Sequence, residues 1–187
     1  MFPPGFKITT DLLWKGAFAF AAIDLFFVPL LAWLVKPARL VRLKWNLVIV
    51  SAIFWFALWA SMLAIFWETV YQYVFPAWAS HIIPLADGVL SAGITLLFWW
   101  IASHAHHFSS AIFCLLGGVW GLLSHINAVL LGIVRKPPVL KGASPYAAIG
   151  VAIFEFIFYW CAILSISALL NFAWNRLHRP TVKSTGS

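Results

Sequence analysis

The sequence predicts an all-α, polytopic transmembrane helical bundle of about five helices. Three observations lead there. Hydrophobic residues make up 64% of the chain and charged residues 9%, with a mean hydropathy of +0.97, whereas a soluble domain carries about a quarter charged residues. Five apolar stretches approach the length of about 20 residues that a helix needs to cross a bilayer. None alternates as a strand does, and in lipid only helices and closed barrels satisfy their backbone groups internally. At 187 residues the chain suits one transmembrane domain, 1–187, with no separate soluble unit.

The spans are expected at 13–35, 46–67, 86–103, 108–134 and 146–172. The N-terminal MFPPGFKITTDLLWKG has no basic region followed by a short cleavable run, so the first span is expected to be retained. Lys36-Pro37 ends it, and the loop 36–45 carries Lys36, Arg39, Arg42 and Lys44. The excess of cations reads as cytoplasmic, and five crossings bring the C-terminal tail, with Arg176, Arg179 and Lys183, to the same side. Loop 67–86 has no Lys or Arg and reads as exterior or lumenal, while Arg135, Lys136 and Lys141 on that side run against the trend. A tight turn, Ser103 to Ser109, joins the third and fourth spans. Gly117, Gly118 and Gly121 in the fourth, with Ala147, Ala148, Gly150 and Ala152 in the fifth, let neighbouring backbones approach closely.

The formal charge of +7 does not point to nucleic acid, because the cations sit in short loops between helices. Cys114 and Cys161 lie singly inside apolar runs without CxxC spacing and read as small core residues. The 12 Trp and 17 Phe exceed what interfacial belts use, which leaves dense packing or a cavity lined with π faces.

Ionisable residues inside spans are expensive and face the bundle interior. Asp24, His125 and Glu155 are the three. At about 1.5 Å of rise per residue, Asp24 is expected roughly 16 Å, and His125 and Glu155 roughly 13–14 Å, from the face bearing loop 67–86. They should therefore share one level, with Glu68 and Asp87 lining the mouth above. The plainer readings are that Asp24 and Glu155 are protonated hydrogen-bond partners between helices, and that His125 with Asn127 is interhelical glue. Glu68 and Asp87 then become ordinary interfacial carboxylates, Asp87 at a helix N-terminus where the dipole favours an anion. His104, His106 and His107 have the spacing of a metal site but lack further His or carboxylate boxes, so a turn is the better reading and no metal is expected.

One reaction class uses these residues: acid-initiated cyclisation or isomerisation of a hydrophobic prenyl or polyene molecule dissolved in the lipid bilayer. A carboxylic acid in apolar surroundings stays protonated and can donate to an alkene or epoxide. The carbocation then needs π faces, of which Trp is the best. Glu68, Asp87 and Glu155 are the candidate catalytic groups, and Asp24, Trp67, Tyr71, Trp99 and His125 the candidate substrate-binding ones. No GxxxxGK, GxGxxG or DDxxD-type motif is present, so no cofactor is expected.

The run Trp67-Glu68-Thr69-Val70-Tyr71, with Pro76 and then Asp87, resembles the small membrane-integral terpene cyclases: the fungal meroterpenoid and indole-diterpene cyclases and their bacterial relatives. The likeness spans residues 66–87. It implies Glu68 as the catalytic acid, Asp87 as a cavity-lining partner, and an acidic residue of a later helix, here Glu155, as a third group. That family has more helices and a longer chain. The alternative function is non-enzymatic, a proton-coupled carrier or an accessory subunit of a membrane complex, using the level set of Asp24, His125 and Glu155.

Overall fold

The computed structural model describes residues 6–131 and 135–178, and among them every regular element is helical. Six α-helices follow in order: α1 (Thr10–Leu34), α2 (Pro37–Arg42), α3 (Lys44–Phe66), α4 (Ala79–Ser103), α5 (Ser109–His125) and α6 (Pro145–Leu177). All but α2 belong to stretches long and apolar enough to cross a membrane, compatible with a multi-pass protein. Large apolar side chains cover the outside, among them Phe18, Leu25, Val89 and Leu169.

Successive spans alternate in direction. The N-terminal segment, residues 67–78 and residues 135–144 gather at one end, here the N-terminal face. There Ile8 N donates to Val139 O at 2.8 Å and Ser144 N to Thr10 Oγ1 at 2.9 Å. The loop with α2, the turn 104–108 and the end of α6 form the other end, the basic face. Arg179 and Lys183 lie outside the described residues.

The tightest seam joins α5 to α6, where the expected close approach occurs. A Cβ on Gly121 would stand 2.5 Å from Ala152 O, and one on Gly117 2.7 Å from Phe156 O. Into that seam packs Trp160, fully buried, its ring 4.8 Å from Phe98 and 5.5 Å from Phe113. Gly88 plays the same part between α4 and α3, with Ala52 O 3.0 Å from its would-be Cβ. Cys114 and Cys161, single in sequence, are buried free thiols lying side by side.

Three expectations need correction. The helix predicted from residue 86 begins at Ala79 and runs through Pro84, which as its sixth residue forfeits the one intrahelical bond its nitrogen would have made to Ser80 O. Asp87 therefore sits in the third turn, away from the N-terminal dipole. The span predicted to 134 stays α-helical only to His125, then widens into a π-helical stretch, Ile126–Leu130. Residues 132–134 lie outside the described residues. Finally, the basic loop contains a helix: Pro37 opens α2, and Leu40 and Leu43 are fully buried beneath the bundle end.

Candidate functional site

The chain leaving α3 folds back on itself. Val70 N bonds Phe66 O at 2.9 Å, and Phe75 N bonds Tyr71 O at 2.8 Å across a single 3₁₀ turn, Tyr71–Tyr73. Local bonds like these meet the loop's backbone needs without a partner helix. They hold Tyr71 half-buried while Gln72 and Tyr73 are exposed. The Tyr71 ring lies 5.6 Å from Trp59 and stacks on Phe75 at 6.1 Å, and its hydroxyl is 3.9 Å from Met62 Sδ.

On α6, the half-buried Glu155 accepts a hydrogen bond from the Tyr159 hydroxyl one turn later. Tyr159 is packed by Phe54 and Trp55, each 5.6 Å away, and by Phe156 at 5.8 Å. Burial first, and the nearby Glu155 second, push the Tyr71 phenol up to about 12, so Tyr71 is a neutral hydrogen-bond donor across the physiological range. On α4, the half-buried Asp87 has the Trp59 indole of α3 beside its carboxyl. Asp87 of α4, Trp59, Tyr71, Glu155 and Tyr159 thus border a group of rings contributed by two helices, α3 and α6, and the fold-back loop.

Other candidates lie apart from this box. Glu68 is exposed; its carbonyl accepts from the Gln72 side chain, and with the half-buried Trp67 it lines an open outer groove of about 740 Å³ along residues 63–69. Trp99 is at the basic face. Its Nε1 donates to Leu40 O at 3.2 Å, and the Lys44 ammonium stands 4.8 Å from its ring centre. That indole fastens α2 and is remote from Tyr71.

The predicted common level of Asp24, His125 and Glu155 is also corrected. α1 and α6 run parallel, with Trp14 against Gly150 and the Phe20 and Phe158 rings 5.7 Å apart. This register brings Asp24 level with Cys161, roughly 9 Å from Glu155 toward the basic face at about 1.5 Å per residue. Gly121 opposite Ala152 sets the His125 backbone roughly 10 Å along the bundle axis from that of Glu155, the other way. The equal depths assumed helices starting at 13 and 146 and ending at 134, and the true ends differ. Nor is either acid an interhelical hydrogen-bond partner. Both oxygens of the buried Asp24 lack a hydrogen bond among the described residues, and the Tyr159 bond to Glu155 stays within α6. His125 Nδ1 donates to Gly121 O at 3.0 Å, and its ring meets the Phe156 edge at 5.4 Å. The side chain of Asn127, its expected companion, lies outside the described residues.

The chain matches no family model, no curated protein and no solved structure. Its site is therefore read from its own residues. His104, His106 and His107 are exposed in a turn where His106 takes φ 48° and His104 Nδ1 donates to Trp100 O at 2.7 Å. Among the described residues no three His, Cys, Asp or Glu side chains group as a metal site.

Tyr159 was missed from the sequence. Its signal was present: Glu155 and Tyr159 stand four apart, which puts them on one helical face. Nothing in the sequence singles out Trp59 among the 12 Trp, since its approach to Asp87 crosses between helices.

Proposed function

We propose that the chain is a membrane-embedded cyclase or isomerase acting on a hydrophobic prenyl or polyene molecule, with Glu155 as its acid. The observation that carries this reading is the half-buried Glu155 carboxyl held by Tyr159, whose ring packs among Phe54, Trp55 and Phe156. Glu155 donates its proton to an alkene carbon or epoxide oxygen. Tyr159 orients the carboxyl, and Tyr71, neutral and half-buried, steadies the carboxylate left behind. The carbocation migrates against the faces of Trp55, Trp59 and Phe156. Loss of a proton to the Asp87 carboxylate closes the reaction, so product and substrate have the same formula and Glu155 is reprotonated between turnovers.

Compared with the resemblance around residues 66–87, this reading moves the acid from the exposed Glu68 to Glu155 and keeps Asp87 as its partner. The carrier alternative rested on three ionisable groups at one level, and the register of α1, α5 and α6 staggers their backbone positions along the bundle by roughly 9–10 Å instead.

The test is a product assay on membranes containing the protein, fed polyprenyl and epoxidised polyprenyl substrates. An isomeric product that disappears in Glu155→Gln and falls in Tyr159→Phe supports the reading. Absence of product from folded protein with every substrate, or undiminished product in Glu155→Gln, overturns it.

A further inference from the structure

The basic face carries a feature that the chemistry above does not use. Lys36, Ala38, Arg39 and Arg42 from the α2 region and Asn171, Phe172, Asn175 and Arg176 from α6 line an open groove of about 700 Å³. Four cations meet there without a carboxylate. The chain's acids all lie elsewhere: Asp11, Glu68, Asp87 and Glu155 toward the N-terminal face, and Asp24 inside the bundle.

The groove is fixed in shape. Arg39 is half-buried and donates through Nη2 to Ala168 O at 3.1 Å, and α2 is seated by the fully buried Leu40 and Leu43. Lys36, Arg42 and Arg176 remain exposed, with the Arg176 guanidinium 5.7 Å from the Phe172 ring. Exposed Trp33, Trp45 and Trp174 at the same end mark the depth of a membrane–water boundary. Across α6 a second, mainly apolar groove of about 660 Å³ is lined by Asn46, Ile49, Val50, Leu170, Trp174 and Leu177, and Asn171 lines both.

We infer that the basic groove is a binding site for the phosphoryl headgroup of an anionic phospholipid, whose acyl chain lies in the apolar groove beyond Asn171. Guanidinium groups match phosphate oxygens in charge and geometry, and the two asparagines offer neutral donors beside them. The adjoining apolar groove favours a lipid over free phosphate, because an inorganic anion would use the first groove alone. The site is on the opposite face from Glu155, so its occupancy is separable from turnover.

The experiment measures retained lipid by native mass spectrometry, and affinity by titrating purified protein with phosphatidylglycerol, phosphatidylcholine or inorganic pyrophosphate. Phosphatidylglycerol should bind saturably and the other two should not. The variant Lys36→Gln/Arg42→Gln/Arg176→Gln leaves the Arg39 anchor in place and should weaken phosphatidylglycerol by roughly tenfold or more. Lys7→Gln/Arg135→Gln/Lys141→Gln removes three cations from the N-terminal face and should leave binding within about twofold. Equal retention of phosphatidylcholine, or equal losses in the two variants, overturns the site. Saturable pyrophosphate binding at the affinity of the lipid overturns the lipid assignment in favour of a free anion.

Discussion

The two ends of the bundle close in different ways. At the basic face, α2 is sealed by apolar plugs: Leu40 and Leu43 fill the space between helices, while Trp99 and Arg39 tie the cover down through backbone carbonyls. Its charges stay at the rim. At the N-terminal face, the loop after α3 turns Tyr71 inward against Trp59 and Met62, within electrostatic reach of Glu155. Two carboxyls toward that end, Asp87 and Glu155, are drawn among rings, and one end is a lid while the other is a chemical lining. Packing a bundle requires only the first kind of closure, so the second kind is where function should be sought.

Substitutions separate the two ends by the size and kind of their effects. The largest expected effect is on the chemical lining: Glu155→Gln should lower product formation by roughly 10²–10⁴-fold, the usual contribution of a positioned acid, with little change in thermal unfolding. Next comes the seam common to both ends. Gly117→Ala forces a methyl against Trp160 and Phe156 O and should destabilise by about 1–3 kcal/mol, read by thermal unfolding in detergent.

A smaller effect is expected at the lid. Trp99→Phe removes the bond to Leu40 O and should cost about 1 kcal/mol while leaving turnover unchanged. A loss of turnover there would mean that the ends are coupled. Smallest is the titration of Tyr71. Its folded value of about 12 exceeds the ordinary phenol value of about 10. The unfolded chain therefore ionises first, and this residue's share of stability, complete below about pH 10, is lost as pH rises toward its folded value. Tyr71→Phe should remove that late step from a tyrosinate absorbance titration, and Glu155→Gln should move it only part-way down, because burial is the larger cause.

The spans were legible because bilayer thickness constrains length and composition directly. Gly117, Gly118 and Gly121 also announced their seam, since small residues on one face have little other use in lipid. α2 was hidden because six residues with three cations or prolines nearby read as loop, and only the burial of Leu40 reveals a helix. Asp87 looked like the opening of a helix because Pro84 and His81 resemble a loop. Depth along the membrane was readable only as well as helix ends were, so shifts of a few residues spread Asp24, Glu155 and His125 apart. Which way a side chain faces depends on packing between helices. Hence Glu68, in the most suggestive motif, is exposed, and Glu155, with no motif, is half-buried and bonded to Tyr159.

The central claim is that the acid is Glu155 and not Glu68, and one paired measurement tests it. Membranes carrying wild type, Glu155→Gln and Glu68→Gln at matched levels would receive the same polyprenyl substrate, and cyclised or isomerised product would be quantified. The account predicts product within about threefold of wild type for the exposed Glu68→Gln and a loss of at least about 10²-fold for Glu155→Gln. The reverse pattern, with Glu68→Gln inactive and Glu155→Gln active, would contradict it.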